Sequence, residues 1–78
     1  MVFVEHVEVM VRVHDLINRE ATGSSIELAR KLNVSKAKVY RIISTMKSLN
    51  APIDYDFAKK TFFYTEKVDF NFGFYHRL

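Results

Sequence analysis

Cysteine is absent from this chain of 78 residues. No disulfide and no cysteine-ligated zinc can hold the fold, and a reducing compartment is allowed. One proline and two glycines leave no material for a linker or a low-complexity segment, and there is no internal repeat. No stretch approaches the ~18 uninterrupted apolar residues of a membrane span. The opening MVFVEHVEV lacks the basic start and long apolar core of a signal peptide. The expected location is therefore the cytoplasm. A Gly-rich phosphate loop is also missing. His6, His14 and His76 have no second His or carboxylate at ligand spacing on one helical turn, so they read as structural histidines, and no metal or other cofactor is expected. Ser24, Ser25 and Ser35 have no base placed near them by any readable motif, so they read as helix caps and not nucleophiles. Asp54 and Asp56 alternate with core residues and read as the solvent face of a strand. No enzyme is expected.

The most informative absence is local. Between Glu27 and Asp54 there is no acidic residue, while Arg30, Lys31, Lys36, Lys38, Arg41 and Lys47 all fall there. Six of the 12 bases thus lie in this stretch, and the other six share the rest of the chain with all 9 acids. The net charge of +3 hides about +6 here and about −3 elsewhere. A concentrated cationic stretch on a nearly neutral body is the electrostatic footprint of a surface that meets nucleic acid.

What remains suits one small folded domain spanning 1–78. Hydrophobic content of 49% and aromatic content of 14% are enough for a core and argue against disorder. A chain this short buries only roughly 60% of its unfolded surface, so it must use its apolar residues well or associate.

Residues 3–20 admit two readings. Phe3, Val7, Met10, His14 and Ile17 form a helical stripe with Val9, Val13 and Leu16 beside it. Val7, Val9, Val11 and Val13 also alternate at strand period. The apolar pattern continues after the alternation stops, which favours a helix. Residues 21–24 read as a stop and a start, with Gly23 supplying a positive φ and Ser24 or Ser25 capping the next helix. That helix is short, about 26–32, with Ile26, Leu28, Ala29 and Leu32 on one side. Asn33 is placed for a left-handed turn, Val34 plugs the turn and Ser35 caps a third helix running to about Leu49. Its core positions are Val39, Ile42, Ile43, Met46 and Leu49. Pro52 disfavours helix at Ala51. Residues 53–57 alternate as a strand, 58–60 turn, and 61–65 return. Val68, Phe70, Phe72 and Phe74 alternate again, which predicts a third strand within 66–75.

Residues 25–49 meet the requirements of a helix-turn-helix. Ala29 is small where the helices touch. Leu28, Leu32, Val34, Val39 and Ile42 close the wedge, and Asn33 and Ser35 supply the turn and the cap. The stretch LARKLNVSKAKVYRIISTMKSLNAPIDYDFAKKTFFYT resembles the bacterial winged-helix domains of the biotin-repressor and deoxyribose-operon-repressor type, over about residues 10–65. The resemblance implies an α+β winged helix-turn-helix, with the wing at 53–65. It implies sequence-specific binding of double-stranded DNA, with the third helix in the major groove and the wing near the minor groove or backbone. Asn33 stands where glycine is commonest. Larger members carry a ligand or catalytic domain after the wing. Only 13 residues, 66–78, follow here, so a stand-alone unit in transcriptional regulation is expected, associated with the nucleoid.

On that geometry Ser35, Lys36, Ala37, Tyr40, Arg41 and Ser44 reach bases, with Arg41 best suited to paired hydrogen bonds with guanine. Tyr40 reads either as a phosphate or thymine-methyl contact or as a half-buried core edge. Lys38, Lys47, Arg30 and Lys31 read as phosphate contacts, as do Lys59 and Lys60 at the wing tip. Surplus apolar surface on the first helix (Val9, Val13, Leu16) and on Phe70, Phe72 and Phe74 predicts a homodimer through the first helix, the last strand or both. No small-molecule ligand or membrane partner is expected. The rival reading is a protein-interaction module of the same fold without base readout.

Overall fold

The β-branched run near the N-terminus folds as helix. In the computed structural model, which describes residues 2–70 (Val2 to His6 by backbone alone), α1 spans Val2–Asn18. Met10, Val13 and Ile17 are buried, a spacing of three and four that only a helix produces. The competing strand period fails at Val11, which is 48% exposed.

α2 spans Ser25–Leu32 and α3 Lys36–Ser48. β1, Ile53–Asp56, and β2, Thr61–Tyr64, pair antiparallel in the register Ile53↔Tyr64 to Asp56↔Thr61. The order is three helices followed by a two-stranded hairpin, an α+β arrangement. No helix among the described residues is long and apolar enough to cross a membrane.

All three helices end the same way. Glu20, Asn33 and Asn50 take left-handed backbone, with φ of 51°, 56° and 72°. In each case the next residue's N–H bonds to a carbonyl five residues back: Ala21 to Leu16 (2.8 Å), Val34 to Ala29 (3.0 Å) and Ala51 to Met46 (3.0 Å). This pattern satisfies carbonyls that a helix end would otherwise leave open. The stop of α1 is therefore Glu20, and Gly23 (φ 69°) belongs to the start of α2. Ser24 caps that start. Its Oγ accepts from the Glu27 N–H and its own N–H donates to Glu27 Oε1, both at 3.3 Å. A Cβ on Gly23 would lie 2.6 Å from Glu27 Oε2, so glycine here both permits the turn and leaves room for the capping carboxylate.

The core joins Met10, Val13 and Ile17 of α1 to Leu28 and Ala29 of α2, Val39, Ile43 and Met46 of α3, and Ile53 and Phe62 of the hairpin. Leu32, Val34 and Ile42 pack half-buried at its edge. Three residues expected inward are not there. Leu49 is the cap residue of α3, past its last turn, and is 60% exposed. Ile26 sits on the outer side of the first turn of α2, 50% exposed, and Phe57 lies in the hairpin turn.

The link between α1 and α2 is fastened to the hairpin by side chains. Thr22 is wholly buried, and its Oγ1 accepts from the Phe62 N–H at 2.9 Å and meets Thr61 Oγ1 at 3.0 Å. The third strand expected within 66–75 does not form over 66–70, where no ladder exists. The Phe62 N–H on the free side of β2 is already taken by Thr22. The Thr65 N–H still bonds to Pro52 O at 2.8 Å, in line with the β1–β2 register, and beyond it the chain leaves the sheet. Phe70 then packs on His14, ring centroids 5.9 Å apart. Burial alternates over 68–70 because one side of the chain rests on α1, not because it pairs. Phe72 and Phe74 lie outside the described residues.

Candidate nucleic-acid interface

α2 and α3 are set against each other by Leu28, Ala29 and Val39, all buried. The turn between them works as its residue types require. Asn33 takes the left-handed position, and Ser35 Oγ accepts from the Lys38 N–H at 3.1 Å. Because Val39, Ile43 and Met46 fix the inner side of α3, helical geometry fixes the outer one. Ala37, Arg41 and Ser44 lie along its centre. Lys36, Tyr40 and Lys47 flank it on one side and Lys38 on the other. All of these, and Ser35, are exposed. Tyr40 is 52% exposed, which suits either of its readings, a half-buried edge or a contact with nucleic acid. Its hydroxyl lies 3.2 Å from Ser25 Oγ, and Lys36 Nζ stands 5.9 Å from its ring centroid. These contacts tie the phenol to the start of α2 and place a cation on its face.

Electrostatically the face is one-signed. Among the described residues the two ion pairs are Arg19–Asp15 and Lys59–Glu20. Arg30, Lys36, Lys38, Arg41, Lys47 and Lys60 thus have no acidic partner there. Lys31 and Lys59 differ from the others. Lys31 is exposed, but its Nζ donates to Ala21 O, and Arg12 donates to its carbonyl at 2.8 Å, so it braces α2 against the end of α1. Lys59 lies 3.5 Å from Glu20 with both side chains largely in water. Such a pair is worth little and opens readily.

The hairpin tip faces the same region. Asp56 Oδ1 accepts from the N–H groups of Ala58 (2.9 Å) and Lys59 (3.0 Å), and Lys60 closes the turn with φ of 54°. Asp56 is thus a turn-former more than a free carboxylate. A groove of about 610 Å³ runs between the start of α2, Tyr40 of α3 and the hairpin, lined by Ser25, Glu27, Tyr40, Tyr55, Phe57 and Lys60 among others. It brings Tyr40 and Lys60 to one groove, whereas Arg30 and Lys31 lie on the far turn of α2.

Two members of this region escaped sequence reading. Ser25 positions Tyr40, a pairing across fifteen residues that no local pattern announces. Phe57 follows the alternation of 53–57, and its place beside the turn is the one signal in the sequence that sets it apart. On the opposite side, His14 Nδ1 and the Tyr64 hydroxyl lie 2.7 Å apart, and burial pushes the Tyr64 phenol above its ordinary value. Among the described residues no group of three or more His, Cys, Asp or Glu is placed to hold a metal ion.

No protein-family model, curated protein or solved structure matches this chain.

Proposed function

We propose that this protein is a winged helix-turn-helix that binds double-stranded DNA, with α3 in the major groove and the hairpin as its wing. The observation that carries the reading is the outer face of α3. Its residues are exposed, it bears Lys36, Lys38, Arg41 and Lys47, and no described acid pairs with them. A face intended only for solvation ordinarily intersperses both signs. In this reading Arg41, at the centre of the face, reads a base edge, with Ala37, Ser44 and Ser35 beside it. Lys36, Lys38, Lys47, Arg30 and Tyr40 hold phosphates, and Lys60 and Lys59 meet the backbone from the wing. Lys31 contributes charge while bracing α2.

We further propose a homodimer and a role in transcriptional regulation. Val13 is wholly buried and Phe70 packs on His14, so neither is surplus surface. What supports a dimer is the half-buried pair Val9 and Leu16, which share one flank of α1 at the core edge, with exposed Val11 on the far side of the helix. The rival, a protein-recruiting module, draws on exposed Ile26 and Leu49.

The deciding experiment is binding to random duplex DNA over a range of salt. About four phosphate contacts per protomer in a dimer give a slope of log K against log salt of roughly −7. A selected sequence motif with a steep slope supports the reading. Absence of duplex binding at low salt removes it in favour of the protein-recruiting module.

A further inference from the structure

We propose that Phe57 is an aromatic wedge that enters bound duplex DNA at a base step and partly unstacks it. The inference rests on the duplex-binding reading above and adds a specific action of the wing.

Phe57 is the first residue of the hairpin turn and is 83% exposed. Turns favour Gly, Asn, Asp, Pro or Ser, each for a backbone reason, and the backbone needs of this turn are met by others. Asp56 accepts its N–H groups, and Lys60 takes its left-handed position. The backbone of the turn therefore does not require a phenyl ring here. The ring is nonetheless braced. It meets Tyr55 edge-on at 5.0 Å between centroids and 76° between planes, and Tyr55 meets buried Phe62 at 4.9 Å and 69°. Three aromatics thus run in file from the core to the tip. A wedge between base pairs must be apolar, projecting and stiff, since unstacking a step costs a few kcal/mol that a yielding side chain cannot recover. Phe57 is apolar and projects from the tip, and its edge contact with Tyr55 restrains the ring.

Charge selects the occupant. Lys60 lines the same groove as Phe57 and has no described acidic partner, and Tyr40 forms the opposite wall with Lys36 over its ring. A sugar-phosphate strand crossing the groove meets Lys60 and the hydroxyls of Tyr40 and Ser25. Glu27, the acid of the lining, is turned back onto the Ser24 N–H. With α3 in the major groove on one side of that strand, the tip faces the adjacent minor groove. Pyrimidine–purine steps open most easily, so TpA and CpA are the expected points of entry.

The test uses the full chain and duplexes of about 30 base pairs carrying 2-aminopurine at TpA or CpA steps, with dyes at the two ends to report bending. The parent is expected to raise 2-aminopurine emission and shorten the end-to-end distance. Phe57→Ala should still fold and bind but lose both signals, with affinity roughly fivefold or more weaker. The chain contains no tryptophan, so Phe57→Trp supplies a unique emission, which stacking should quench and shield from acrylamide. Duplex binding by the parent without a change in 2-aminopurine emission, or a Phe57→Ala variant identical to it in both signals, overturns the wedge and leaves the duplex-binding reading standing. Failure of the parent to bind any duplex at low salt overturns both.

Discussion

The Thr22 hydroxyl holds more of this fold than its size suggests. It is wholly buried, accepts the Phe62 N–H and meets Thr61 Oγ1. Thr22→Val keeps the shape and strands the amide, so unfolding in urea should show a loss of about 1–3 kcal/mol, while Thr22→Ser should lose less. Tyr64 makes a pH-dependent contribution. Its pKa is raised by burial above an ordinary value of 10.0, so the folded state binds that proton more tightly than the unfolded one. The resulting stability is complete below pH ~10 and is lost as pH climbs through the raised value. Urea midpoints measured at neutral and strongly alkaline pH should fall more for the parent than for Tyr64→Phe. Arg41→Ala should cost about 1–3 kcal/mol at one base position and flatten preference there; an unchanged selected motif would remove Arg41 from the reading set. Single positions were unevenly legible. Every candidate on α3 proved exposed, because helical period assigns sides once Val39, Ile43 and Met46 are recognised. Phe57 was misplaced because alternation does not reveal where a strand stops. Thr22 was invisible, since its partners lie about forty residues away.

Among the elements, the helices show which signals a sequence carries well. Asn33 and Asn50 tolerate left-handed backbone and could be recognised as stops. Glu20 could not, because nothing about a glutamate announces that conformation. Placing a β-branched residue at Asn33 should be costly. Asn33→Val is expected to lose about 1–2 kcal/mol, whereas Asn33→Gly should be close to neutral, as thermal melts would show. The hairpin was legible from β-branched and aromatic runs on either side of a polar turn. The expected third strand was not real over 66–70, because alternation records one-sided burial and is silent about pairing. For the wing tip, Lys59→Ala combined with Lys60→Ala should weaken binding to all duplexes alike, because the weak, exposed pair of Lys59 with Glu20 leaves both lysines able to meet the backbone. Loss on only some sequences would contradict a backbone contact.

For the molecule as a whole, the charge split is the property that function can be read against. Lys36→Glu should lower affinity for every duplex and make the salt slope shallower, with folding little changed, because a negative side chain suits the first turn of a helix. A folded variant that binds like the parent would reduce the charged face to solvation. A dimer should appear by light scattering at micromolar concentration, with DNA half-sites about one helical turn, roughly 34 Å, or a multiple apart. A strict monomer removes both expectations. A two-stranded sheet also has a long-term hazard, since each outer border offers backbone groups on which another chain can add as a further strand. On the β2 side the Phe62 amide is withheld from such templating by a threonine hydroxyl. Loss of that hydroxyl would therefore do more than lower stability. It would unmask a β-branched, aromatic strand with a vacant donor, so Thr22→Val should aggregate on refolding at concentrations where a variant equally destabilised in the core stays dispersed.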